Sequence, residues 1–323
     1  MRYKPYRYLL YLMLRLFQAV VLCLPRNAAL SLARGVGRAA FALARRERNK
    51  TLEHLTRAYG GEKSPGEIKK LGERVFIHFA ETAVEVLRLP KLDREALNRL
   101  VEVGDGFETY RRLLAEGNGV ILLTGHLGNW ELMGALFCFN GFPGTVVGRR
   151  LYYEKFNQMI LRLRKKAMLK TLYQDASPRE YLEVLRRNEI LGLLADQDLD
   201  WADGIFVPFF GRPAYTMTAP VKLALASGAP LVPTFLVREG DRYRLLVEEP
   251  IRVEIKTTRE EALREYTERW SRVMEEKIRA YPDQWAWMHR RWKTKVPVPR
   301  GTGSLLNYSS KPVPLGTGTL CHD

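Results

Sequence analysis

Cysteine is scarce in this chain of 323 residues: Cys23, Cys138 and Cys321 are odd in number and far apart. They supply neither a disulfide framework nor a metal cluster, and they suit a reducing compartment. Acidic residues are short as well, 36 against 52 Lys and Arg, which leaves a net charge of +16. That excess calls for a polyanionic partner or surface. Zinc-finger spacing and RNA-recognition aromatic signatures are both missing, so nucleic acid is not the expected partner. There is no internal repeat and no long linker before residue 295. Hydrophobic residues nevertheless make up 46%, enough for a real core.

The charge is concentrated where the longest apolar run lies. Residues 1–60 hold twelve Lys and Arg against two Glu, a net of +10. Within them Tyr8 to Leu24 reads YLLYLMLRLFQAVVLCL, with no small-residue cleavage site behind it. Seventeen residues are the lower limit for a membrane span, and Arg15 at the centre costs about 2.5–3.5 kcal/mol on insertion. Basic residues flank the run on both sides, which opposes a single crossing. Tyr8, Tyr11, Arg15 and Gln18 form a narrow polar stripe among leucines. These features favour a helix lying in the cytoplasmic leaflet, with a span or a helix packed on the protein's own core as the other readings.

Three capping signals open helices further on. Ser64-Pro65-Gly66-Glu67 starts one expected to reach Leu89, Ser177-Pro178-Arg179-Glu180 one to Asn188, and Thr258-Arg259-Glu260-Glu261 one to Ala280. Between them lie short apolar runs of strand length: 119–124, 144–148, 190–195, 205–210, 230–237 and 242–248. Strands alternating with helices predict an α/β fold, a mostly parallel or mixed central sheet flanked by helices. By composition the chain divides into an N-terminal membrane-associating helical segment (1–60), an α/β domain (61–295) and a tail (296–323). The tail is rich in Pro, Gly and Ser, and disorder is expected there.

The chemistry concentrates in Thr124-Gly125-His126-Leu127-Gly128-Asn129-Trp130-Glu131, between an apolar strand and an apolar helix. In one regular helix His126 and Glu131 would point about 140° apart. They face a common site only if His126 lies in the turn and Glu131 in the first helical turn, where the helix dipole favours a carboxylate. Glu131 then fixes one imidazole nitrogen and leaves the other as a base, without a Ser or Cys nucleophile. A His and a Glu five apart also arise by chance in a chain with five histidines. Position at the C-terminal end of a strand, where open α/β sheets bind ligands, favours a site.

GHLGNWE, 125–131, resembles the HxxxxE signature of the bacterial lipid A late (lauroyl/myristoyl) acyltransferases. That family also includes the mannoside acyltransferases of actinobacteria. Asp196-Gln197-Asp198 followed by Phe206 to Gly211 resembles its DQD and FVPFFG block, and Asp283 to Lys293 its C-terminal HRR block. Arg149-Arg150-Leu151 stands where the family has Arg-Pro-Leu, and Ala195 replaces the usual Pro before DQD. The resemblance implies a glycerolipid-acyltransferase-like fold. It also implies an acyl carrier protein or coenzyme A thioester as donor and neither metal nor cofactor; the anionic membrane acceptor it implies is a hydroxyl of a lipid A precursor glycolipid, with a phosphatidylinositol mannoside or an aminolipid as the alternative. The cytoplasmic face of the cell inner membrane is the place it implies. His126, Glu131 and Arg149 become the catalytic candidates, with Arg149 stabilising negative charge or orienting Glu131. Asn129, Arg150, Asp196, Gln197 and Asp198 become candidate substrate contacts. For the two aspartates, a metal pair and loop-holding residues are the other readings.

His78 reads as a core residue, and His289 as structural or as a lipid-phosphate contact. The basic stretch from Arg149 to Lys166 reads as a solvated face or as a landing site for an acidic carrier or lipid phosphates. An esterase or metallohydrolase, and a peripheral membrane protein with a decayed site, are the competing classes.

Overall fold

The computed structural model describes residues 5–296, so the tail from 297 onward and Cys321 lie outside the described residues. Three helices come first: α1 (Pro5–Cys23), α2 (Arg26–Leu43) and α3 (Arg45–Tyr59). Then follow α4 (Pro65–Arg88), α5 (Arg94–Leu100), β1 (Val101–Glu102), α6 (Gly106–Leu114), β2 (Val120–Thr124) and α7 (Trp130–Phe139). The middle of the chain forms β3 (Gly144–Gly148), α8 (Glu154–Lys166), β4 (Lys170–Tyr173), α9 (Pro178–Arg186) and β5 (Ile190–Leu194). The last third forms β6 (Gly204–Phe209), β7 (Arg212–Met217), α10 (Ala219–Ser227), β8 (Leu231–Glu239), β9 (Arg242–Val247) and α11 (Arg259–Ala280).

The seven-stranded sheet runs β1-β9-β8-β2-β5-β3-β4. β8, β2, β5, β3 and β4 are parallel, and β9 turns back antiparallel to β8. Parallel strands require cover on both faces, and β2 shows it, with all five residues buried. Ile121 and Leu123 pack with Trp270 and Met274 of α11. Leu122 packs with Leu132, Met133 and Leu136 of α7 on the opposite face. The capping boxes at Ser64 and Ser177 form as their sequences dictate, with Glu67 and Glu180 reaching back to the cap.

One expected strand is placed differently, and three strands have no counterpart among the expected runs. The run at 205–210 does not join the main sheet; β6 pairs only with β7 in a separate antiparallel ribbon. β7, β4 and β1 give no apolar run: β7 carries Pro213 within RPAYTM, and β4 and β1 are short edge strands.

Of the polar stripe of α1, Tyr11 and Gln18 face the domain, while Tyr8 and Arg15 are exposed. Gln18 is buried and donates to the Leu87 carbonyl at 3.2 Å, and Tyr11 meets Phe156 edge-on. Arg88 donates to the carbonyls of Val21 and Leu24 at the helix's end. Leu9, Leu10, Leu12, Met13 and Leu16 are left exposed on the outer side. Residues Tyr6–Cys23 are long and apolar enough to cross a membrane, and only 11% of them is buried.

Candidate active site

β2 and β5 are parallel neighbours with Thr124 opposite Leu194. Two residues beyond each partner stand His126 and Asp196, so strand register alone brings these side chains together. His126 Nδ1 lies 2.8 Å from Asp196 Oδ1. Asp196 Oδ2 accepts from the His126 backbone N–H and from Trp285 Nε1, both at 2.8 Å. Burial opposes ionisation of this carboxyl. The charge of His126, its two hydrogen bonds and the charge of His289 outweigh burial and hold Asp196 well below the usual carboxylate range. A carboxylate at Nδ1 keeps the ring proton there and leaves Nε2 free as a base.

The turn that carries His126 is sewn in from both sides. Asn129 N–H donates to Leu236 O of β8, Gly128 N–H to Gln284 O, and Ala286 N–H to His126 O. Gly128 has φ of +67°, and a Cβ there would stand 2.0 Å from Leu236 O. At Gly125 a Cβ would press on Met274 Cε at 2.4 Å and on Asp196 itself. Neither position accepts a side chain, because the loop lies directly against β8, α11 and the carboxylate.

Glu131 stands in the first turn of α7, as the spacing demands, yet its carboxylate does not meet His126. Arg164 of α8 takes it in a two-pronged pair, Nε to Oε2 at 2.9 Å and Nη2 to Oε1 at 2.5 Å. The orienting role expected of Glu131 therefore falls to Asp196, and the partner expected in Arg149 is Arg164. Arg149, His126, Glu131, Arg164 and Gln197 all line one cavity of about 960 Å³.

The remaining candidates separate. Gln197 Nε2 lies 3.4 Å from His126 Nε2 and donates to His289 Nε2 at 3.2 Å. Asn129 is a helix cap: its Oδ1 accepts from Leu132 N–H at 3.0 Å, and it does not line the cavity. Arg150 stacks on Tyr173 outside the cavity lining, its guanidinium 4.1 Å from the ring centre. Asp198 binds the backbone N–H groups of Lys293 and Thr294, and so fastens the C-terminal segment. Among the described residues no group of three or more His, Cys, Asp or Glu is placed to hold a metal ion.

His289, a structural or phosphate-contacting residue by sequence, has its ring 4.9 Å from that of His126. Burial and the neighbouring His126 push its imidazole down to about 4, so it is neutral near pH 7. His78 lies in the core, its Nε2 at 3.3 Å from Gly128 O. Burial and Arg238 push it down to about 3.

The carboxylate–imidazole pair stands at the C-terminal edge of a parallel sheet and opens on a largely apolar cavity, an arrangement that suits acid–base chemistry. The family model for bacterial lipid A biosynthesis acyltransferases matches residues 2–294, and the chain belongs to that family. It is 34% identical over 161 residues to a phosphatidylinositol mannoside acyltransferase of Mycobacterium tuberculosis, covering 48% of this chain and 51% of that protein. It is 30% identical over 198 residues to the lipid A biosynthesis lauroyltransferase of Escherichia coli, covering 59% of this chain and 61% of that protein. The matched region thus spans about half the length of the first of these relatives. The 1-acyl-sn-glycerophosphate acyltransferase of Thermotoga maritima aligns at a TM-score of 0.34 and 14% identity, over 81% of this chain and 99% of that one.

Proposed function

We propose that this protein transfers a fatty acyl group from an acyl carrier protein or coenzyme A thioester to a hydroxyl of a phosphorylated membrane glycolipid. The observation that carries the reading is the His126–Asp196 pair at the head of a cavity with apolar walls. The acceptor hydroxyl gives its proton to His126 Nε2 as its oxygen attacks the thioester carbonyl. Asp196 stabilises the imidazolium. The C–O bond forms, the C–S bond breaks, and His126 returns the proton to the leaving thiolate. Arg149 lines the cavity and has no carboxylate partner among the described residues, which suits it to the developing oxyanion. The pair Glu131–Arg164 fixes a second guanidinium in the same wall.

Two acceptors are supported. The family match favours an acylated glucosamine disaccharide precursor of lipid A. The higher identity to mannoside acyltransferases favours a phosphatidylinositol mannoside. A competition assay offering both, with the disaccharide also in dephosphorylated form, separates them. Preference for the phosphorylated disaccharide, weakening as salt rises, supports the first. Preference for the mannoside selects the second, and acylation of neither overturns the glycolipid reading.

The same proposal places the protein on the cytoplasmic face of the inner membrane, with the exposed leucines of α1 in the lipid. Removing residues 1–24 would also uncover Val84 and Leu87, which pack with Val21. A cleaner change is the double substitution Leu9→Glu and Leu16→Glu, at positions 59% and 68% exposed. Losing two buried leucines costs about 3 kcal/mol or more, so binding to anionic vesicles falls roughly a hundredfold. Vesicle sedimentation reads this directly, and unchanged partition rules out α1 as the anchor.

A further inference from the structure

The cavity at His126 has two apolar arms, one on each face of the sheet, joined over the C-terminal end of β5. Ile190 and Gly192 of β5, with Leu122 of β2, meet Met133, Phe137 and Cys138 of α7 on one face. These residues are buried and the arm is closed. Leu193 points the other way, toward Tyr181 and Leu182 of α9 and Pro220 and Leu223 of α10. That second arm is an open groove: Tyr181 and Leu182 are half-buried, and Ala226 and Arg259 on its rim are exposed.

Acyl transfer passes through a tetrahedral carbon from which the alkyl chain, the sulfur and the incoming oxygen must leave in different directions. The closed arm suits the alkyl chain, which wants no water. The cavity mouth is flanked by Leu151 and Trp201, both exposed. Beside Leu151, Tyr152 carries the Arg7 guanidinium of α1 at 3.7 Å over its ring. The mouth therefore adjoins the helix whose leucines face outward, and an acceptor held in lipid arrives there. The open groove is left for the sulfur side.

Resting on the acyltransferase reading, we propose that the groove between α9 and α10 binds the phosphopantetheine arm of the acyl donor, with Arg259 pairing its phosphate. An apolar floor with a solvated rim matches a chain of alternating methylene and amide groups. A lipid chain lying there would leave methylenes in water along the rim. Lys222 is held by Asp203 at 3.0 Å, whereas Arg259 has no ion pair among the described residues and is free to take a phosphate. After transfer the thiol departs along the same groove, without crossing the lipid-facing mouth.

The test compares three donors of one acyl length: acyl-coenzyme A, acyl carrier protein, and the acyl N-acetylcysteamine thioester, which lacks the phosphate. The acceptor is whichever glycolipid the wild-type protein acylates. Arg259→Ala raises KM for both phosphopantetheine donors about tenfold relative to the truncated thioester, the scale of one charge-assisted hydrogen bond. Ala226→Trp, which narrows the groove from an exposed helix position, shifts the same ratio the same way. An equal change for all three donors, a change for acyl-coenzyme A alone, or a rise in acceptor KM instead would each overturn the assignment. Absence of transfer from every donor by the wild-type protein would overturn the acyltransferase reading, and the groove with it.

Discussion

His126→Ala lowers the rate of acyl transfer by about 10²–10⁴ and leaves the protein folded. The factor corresponds to roughly 2.7–5.5 kcal/mol of barrier, the usual contribution of a positioned base. The imidazole projects into the cavity and is not part of the packed core; its side chain is 19% exposed. What holds the turn is backbone, through Leu236, Gln284 and the approach of Gly128 to β8, and none of that needs the ring. The loss is therefore in kcat, with KM for the donor little changed, since the apolar arms are untouched. A folded His126→Ala protein with full turnover would remove the imidazole from the mechanism.

Asp196→Asn is expected to cost about as much, roughly 10²–10⁴, and for a different reason. Asparagine keeps one oxygen to accept from the His126 backbone and from Trp285, both of which bind Oδ2 in the native protein. Its amide then faces Nδ1 in place of Oδ1. A donor at Nδ1 moves the ring proton to Nε2, and the base is lost while the geometry persists. Glu131→Gln costs less, because it weakens the pairing with Arg164 and does not touch the imidazole. The pair of variants separates the two carboxylates. If Glu131→Gln is the more damaging, Glu131 acts on His126 in a rearranged complex and Asp196 serves mainly to hold the loop.

The confusion between these carboxylates in the sequence has a physical cause. Helix spacing and strand ends are local, and the sequence shows them: the capping boxes at Ser64 and Ser177, the buried run of β2, and His126 in a turn with Glu131 at N2 of α7. The α/β class follows from the same alternation. Which strands become neighbours is not local. Once β5 is known to lie beside β2 in register, Asp196 stands opposite His126 by counting. That pairing spans 70 residues and leaves no periodic mark. Arg164 was visible only as one of several basic residues on α8, and the carboxylate it meets is 33 positions away.

The stripe on α1 misleads in the same way. Tyr11 and Gln18 form a polar line that an isolated amphipathic helix would turn to water. In the fold they are the docking face, because Gln18 finds the Leu87 carbonyl and Tyr11 finds Phe156. The other two residues of the stripe, Tyr8 and Arg15, stay exposed, so the periodicity is legible in the sequence and the docking face is not. β6 is a similar case. Its apolar run has strand length, but Phe209 and Val207 are buried in a ribbon outside the main sheet.

Acyl transfer to a lipid hydroxyl through His126 is read directly by mass spectrometry of the lipids. Purified wild-type protein is incubated with an isotopically labelled acyl thioester and with the lipid A precursor or the phosphatidylinositol mannoside. His126→Ala and Asp196→Asn are run beside it. An acceptor heavier by one labelled acyl group is expected in the wild-type reaction, its yield lowered by two orders of magnitude or more in both variants. Free fatty acid without an acylated acceptor, or equal product from the wild type and His126→Ala, would contradict acyl transfer through His126.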